Sequence, residues 1–376
     1  MKNQTKIHSP GWLEKWGRKV LFSYAARQKE KKTNDQFNFR QSSNQVIWEG
    51  TVLSFFIGFI PSALFVYVNF FLPAADESDL ISKNLHIAYV LLLILFFTII
   101  EFYLLFKLGL YESYRIAELA NIELEDEPEL VTPIPGMLAR IALEIPDPEL
   151  RLFGIDPYQR LNRRTLALKT ILYKIKVVLS NMAAKFLLKA VIGRGSLRIY
   201  IEYISAPITG FWDAYVTFLI LKELRMRVIT RKIAERIIIE INSVSTKLSE
   251  NGKLACLQAI ANSIVFTKTF HPNFEFLLLK LVKCFELDFP LKDLDKIAEF
   301  RKTLLQCNPS EKKLAFRLFL IGSCFDGNLS EEEKAILPTL YPDFSEDDWK
   351  STRELSHHVR SGELKEAISL AEKMMQ

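Results

Sequence analysis

Apolar residues run almost unbroken from Thr51 to Leu72 and again from His86 to Phe106, whereas most of the remaining chain mixes apolar and polar positions at helical spacing. The first run holds no formal charge and the second only Glu101. At about 1.5 Å per residue each run covers the roughly 30 Å hydrocarbon core of a bilayer. The pattern therefore predicts two membrane-spanning helices, joined by a short polar loop over Pro73 to Leu85. From Ser243 onward apolar residues recur every three or four positions between short polar joints. The fold class expected is all-α: a two-helix transmembrane hairpin over residues 48–110, followed by a cytosolic helical body.

The segments around the hairpin differ in character. Within residues 1–47, Gly11 to Gln28 places Trp12, Trp16, Val20 and Tyr24 at intervals of four among Lys15, Arg18, Lys19 and Arg27. This aromatic stripe on a basic helix suits either an anionic inner-leaflet surface or a seat on the protein's own body. Lys29 to Ser43 reads as a polar linker. Residues 111–160 form an acidic connector punctuated by prolines from Pro128 to Pro157, with a short apolar helix over Gly136 to Ile145. Residues 161–242 are basic and helical. Within them Tyr203 to Leu221 carries only Asp213 as a charge and resembles a third span. Basic clusters on both sides, with Pro207 and Gly210, point instead to two cytosolic helices meeting at a Ser205 to Gly210 turn, in the body or on the inner leaflet. Residues 342–376 predict two helices, starting near Ser345 and near Ser361 or Gly362.

Charge then sets the orientation. About ten Lys and Arg precede the first span, whereas the loop between the spans holds Lys83 alone among Asp76, Glu77 and Asp79, so both termini are expected in the cytosol. Trp48, Tyr103 and Tyr111 stand where interfacial aromatics belong. A net charge of +5 with a charged fraction of 25% conceals the alternation of basic and acidic segments. The basic stretch is interleaved with aliphatics and shows no stacking platform, which argues against nucleic acid. Four cysteines, all after residue 250 and without a C-x-x-C pair, read as reduced core residues. The first apolar run starts too late, and is too long, for a signal peptide.

Within the hairpin, Ser54, Gly58 and Ser62 share one face of the first span, beside Pro61. Small residues in such a row admit a close neighbour. Glu101 is expected to face this seam, accepting from Ser54 or lining a homo-oligomer interface; the alternative is local hydration near the cytosolic boundary.

The segment Phe316 to Leu337, FRLFLIGSCFDGNLSEEEKAIL, resembles the second half of TerB-like domains, the tellurite-resistance type of helical module. In those domains an apolar helix ends at an Asp-Gly turn and the next begins with a small residue and an acid. Leu257 to Leu287 resembles the first half, although its turn, TFHPNF, lacks the expected acids. The resemblance spans roughly Ser245 to Tyr341, within residues 243–341. Gly327 with the S-x-x-E pair Ser330 and Glu333 explains the turn as helix stop and cap. The family resemblance implies an alternative, a divalent cation on Asp326, Asn328, Glu332 and Glu333. The spacing is not an EF-hand, which needs Gly where Glu331 stands and Glu where Leu337 stands. No other cofactor is expected.

Together the hairpin and tail resemble bacterial inner-membrane proteins with such helical tails. They imply a multi-pass, non-enzymatic scaffold or sensor in an envelope or stress-response complex, bound to lipid and to a cytosolic protein through the C-terminal domain. Two other classes stay open: an oligomeric channel or transporter component using the Ser54, Gly58, Ser62 seam, and a lipid-acting helical enzyme with Glu202 and Asp213 as acids. No nucleophile motif, phosphate loop or dinucleotide fingerprint occurs.

Overall fold

The computed structural model describes residues 10–28, 38–71, 80–125, 127, 130, 132–145, 153, 155–156, 198–268, 272–286, 294–329, 331–341 and 344–376. Among these residues the protein is all-helical, with no strand. The helices are α1 (Trp12–Gln28), α2 (Phe39–Phe70), α3 (Leu80–Leu119), α4 (Ile134–Ala142), α5 (Arg198–Val244), α6 (Glu250–Thr267), α7 (Pro272–Phe285), α8 (Ile297–Gln306), α9 (Pro309–Ser323), α10 (Glu331–Leu340), α11 (Glu346–Ser361) and α12 (Leu364–Met375).

Two of them, α2 and α3, contain windows long and apolar enough to cross a membrane. Both outrun the apolar runs of the sequence: α2 is 32 residues and α3 is 40. Each changes character along its length. At the far end of α3 the side chains of Leu92, Phe96 and Ile99 point outward, while past Lys107 Leu110 and Ile116 are fully buried. Residues 39–43, expected as part of a linker, are the first turn of α2, and Ser43 is fully buried there.

The longest element is α5. Its 47 residues span roughly 70 Å at 1.5 Å per residue, and Pro207 lies inside it without ending it. The two cytosolic helices and Ser205 to Gly210 turn expected from the sequence are thus one helix. Proline removes one backbone donor, but the helix persists because α2 packs along it at this level. The two helices are antiparallel: Asn44 meets Arg225, Trp48 meets Phe218 with ring centroids 6.2 Å apart, and Phe55 meets Phe211 at 5.0 Å.

The C-terminal half of α5 is the spine of the body. Leu221, Leu224 and Val228 are fully buried on one face, and Ile237 and Ile241, four residues apart, are almost fully buried on the opposite face, so this half of the helix is surrounded. Around it pack α4, α7, α11 and α12. Beyond it α6 and α9 pair around an aromatic cluster, in which Phe266 meets Phe319 edge-on at 5.7 Å and Phe274 stacks on Phe325 at 4.9 Å. One carboxylate secures the starts of both helices. Glu311 accepts from the backbone N–H of Asn308 at 3.1 Å, closing a capping box on α9, and from the N–H of Ser249, the α6 cap, at 2.6 Å. Burial raises the Glu311 pKa, but those backbone donors outweigh it and hold the carboxyl below the ordinary range.

The aromatic stripe of α1 is spent on the fold. Leu21 is fully buried, Trp16 lies 6.5 Å from Tyr103, and Tyr24 lies 5.6 Å from Tyr111. A buried ion pair, Arg140 Nη2 to Glu14 Oε2 at 2.6 Å, ties α1 to α4. Of that stripe Trp12 is exposed, at 79%, and Trp16, Val20 and Tyr24 are half-buried. The acidic connector meets the basic helix where Arg231 donates to both Glu127 oxygens, at 3.0 and 2.9 Å, beneath the Phe276 ring.

Candidate functional site

Two places concentrate polar side chains inside an otherwise apolar framework. The first is the seam between α2 and α5. Ser54 and Gly58 are buried there, and opposite them α5 places Thr209, Gly210 and Asp213. A Cβ on Gly58 would overlap the Asp213 carboxylate and stand 3.1 Å from the Thr209 carbonyl oxygen. One on Gly210 would stand 2.7 Å from the Phe55 carbonyl oxygen. Both glycines are therefore close-approach positions: at Gly58 the Asp213 carboxylate lies where a side chain would go, and at Gly210 the Phe55 backbone does.

This arrangement corrects the expected partner of the seam. Ser54 Oγ donates to Thr51 O at 2.9 Å on its own helix, not to Glu101. The neighbour admitted by Ser54 and Gly58 is α5 of the same chain. Ser62, farther along, is half-buried. Glu101 is buried at 4% exposure and Asp213 at 1%, and both have interactions within the structure. Asp213 sits about three turns of α5 from Arg225, too far for a salt bridge between them; the side chain of Glu202, the other acid expected of an enzyme, lies outside the described residues.

The second place is the joint where α2 and α5 meet the terminal hairpin. Arg225 donates to Asn44 Oδ1, and Arg40 pairs with Glu363, which also meets His358 Nδ1. Gly362 closes α11 with φ of 86°, and a Cβ there would stand 2.7 Å from the Arg225 guanidinium carbon. The guanidinium thus lies flat against a turn that only glycine fits. Burial, then the positive charge of Arg40, lower the Arg225 pKa, while the hydrogen bond from His358 holds Glu363 below the ordinary carboxylate range. The sequence places a helix start near Ser361 or Gly362; the structure makes Gly362 the stop of α11, and the partners of that turn stand in α2 and α5.

The Asp-Gly turn after α9 is closed by its own groups. Gly327 has φ of 69°, the N–H of Asn328 donates to Asp326 Oδ1 at 2.9 Å, and the Asn328 amide donates back to the Asp326 carbonyl at 3.2 Å. Ser330 and the side chains of Glu332 and Glu333, the other expected members of a cap or cation site, lie outside the described residues. Among the described residues no group of three or more His, Cys, Asp or Glu gathers as a metal site. The rings of His357 and His358 lie 6.1 Å apart between centroids, tilted 59° to each other. A pocket of about 160 Å³ opens between α9, α11 and α12, lined by Arg317, Asp348 and Lys373 with Leu320 and Leu370. No protein-family model, curated protein or solved structure matches the chain.

Proposed function

We propose that this chain is a multi-pass protein of a bacterial inner membrane, acting as a non-enzymatic scaffold or sensor. In this reading α2 and α3 cross the bilayer, both termini are cytosolic, and the helical body presents a docking surface to a cytosolic protein. The observation that carries the reading is the continuity of α5: one helix leaves the apolar flank of α2 and becomes the spine of the body. A tilt or rotation imposed at its apolar end reaches Arg225 and the α11–α12 turn without an intervening flexible joint. The basic residues before the first apolar run support the orientation, and the TerB-like character of Phe316 to Leu337 supports a stress-response setting. Arg353 on α11 and Lys365 on α12 are exposed beside the joint. Photo-cross-linkers at these two positions of the full-length protein, activated in native membranes, should trap a cytosolic protein; adducts to lipid or to the chain itself alone would refute the docking role.

A further inference from the structure

In a water-soluble helix packed on a body the apolar face turns inward and the polar face outward. The first half of α5 does the reverse. Its outward side chains are Ile208, Phe211, Trp212, Tyr215 and Leu219, between 36% and 68% exposed, while Thr209, Asp213 and Thr217, spaced one helical turn apart, are buried against α2. From Leu221 the helix reverts to ordinary polarity: Leu221, Leu224 and Val228 are buried, and Lys222 and Arg236 stand outside.

The same inversion occurs at the same level on the two neighbouring helices. On α2, Arg40, Gln41, Asn44 and Gln45 are outward and Val46 and Ile47 buried. From Val52 onward Phe56, Ile60 and Leu64 face out while Ser54 is buried. On α3, Phe96, Ile99 and Leu104 are outward with Glu101 buried, and beyond Lys107 Leu110 and Ile116 are buried with Glu118 outward. Contacts fix the three switch points to one height, because Gly50 of α2 lies against both Leu221 of α5 and Glu112 of α3. A protein partner would cover one side of such a bundle. Here the exposed side chains described beyond the switch, over residues 52–70 of α2, 85–104 of α3 and 208–219 of α5, are all apolar or aromatic, as a surrounding hydrocarbon phase requires.

We infer that the first half of α5 is a third membrane-embedded helix, whose Ile208, Phe211, Trp212, Tyr215 and Leu219 face lipid acyl chains. This rests on the reading that α2 and α3 cross the bilayer. The antiparallel register brings the start of α5 level with the last turns of α2, so Arg198 reaches the side of the membrane opposite the body. Asp213 and Thr209 are buried on the side of α5 turned to Gly58 of α2, away from the outward face.

The test uses full-length protein in sealed vesicles of both orientations, with Cys284, the one partly exposed native cysteine, replaced by Ser. Single cysteines at Phe96, Phe211 and Lys222, all exposed, are probed with a membrane-impermeant maleimide and then carry a bimane for quenching by brominated acyl chains. The expected result is labelling at Lys222→Cys from the body side only, at least tenfold slower labelling at Phe96→Cys and Phe211→Cys from both sides, and equal bromolipid quenching at the latter two. Labelling of Phe211→Cys with Phe96→Cys protected would overturn the inference and leave the hairpin standing. Protection of Phe211→Cys without quenching would mean that protein, not lipid, covers the face, and would also overturn it. Labelling of both would overturn the inference together with the membrane reading of α2 and α3.

Discussion

Replacing Gly58 with alanine adds one methyl group at the tightest point of the α2–α5 seam. The new carbon would overlap the Asp213 carboxylate, standing 2.9 Å from its Cγ and 3.1 Å from the Thr209 carbonyl oxygen. Comfortable carbon contacts lie near 3.5–4.0 Å, so the helices must separate by roughly half an ångström or more. Neither neighbour yields cheaply, since Asp213 is almost wholly buried and the other group is backbone. Overpacking of this kind costs about 1–3 kcal/mol, and the better helix propensity of alanine returns up to about 1 kcal/mol. The expected net loss is about 1–2 kcal/mol, a fall in Tm of about 2–6 °C for the detergent-solubilised full-length protein. Gly11→Ala, where nothing lies within 4 Å, meets no clash and should cost only the few tenths of a kcal/mol, roughly, by which glycine is preferred at the start of α1. A Gly58→Ala protein as stable as the parent, or more so, would refute the close approach of α2 to α5.

The buried Glu14–Arg140 pair, at 1% and 2% exposure, predicts that Glu14→Ala or Arg140→Ala loses about 3–5 kcal/mol, read as a lower Tm and faster proteolysis of α1, because each removes one side of a buried ion pair; the combined Glu14→Leu, Arg140→Met protein should recover most of it. Glu363, whose pKa is depressed by its bond from His358, should add stability above its unfolded value near 4.5 and lose that contribution as pH falls through the lower folded value. A plot of Tm against pH should therefore lose part of its acid limb in Glu363→Gln; an unchanged limb would refute the joint. Burial pushes the Cys307 thiol up to about 11 and Cys256 higher still, so at about pH 8 only Cys284, which is partly exposed, should react promptly with a thiol reagent, and Cys284→Ser should abolish the fast phase.

Much of the helical framework was legible in the residue order. The first apolar run lies in α2 as far as Phe70, the second lies wholly within α3, and Ser345 starts α11 as its cap. Gly327 has the positive φ that its Asp-Gly turn requires. The short apolar helix expected over Gly136 to Ile145 is α4. These features depend on neighbours within a turn or two, where capping and hydrophobic period act directly. The candidate sites were legible only in fragments. Ser54 and Gly58 were recognised as a close-approach seam and Glu101 as an interior carboxylate, but the seam was matched to the wrong helix.

That error has a physical origin. Pro207 and Gly210 read locally as a turn, because each weakens an isolated helix. In the fold Gly210 is instead the residue that lets α5 touch the backbone of Phe55, and the contact with α2 holds the helix through its proline. Likewise Arg40, Asn44, Arg225, His358 and Glu363 come from three distant stretches, and no spacing in the chain announces that they meet. Composition and period decided which segments are helical and which are apolar enough for a bilayer. Which faces meet, and hence that α5 turns its polar side inward along α2 and its apolar side outward, was decided by packing between segments more than a hundred residues apart.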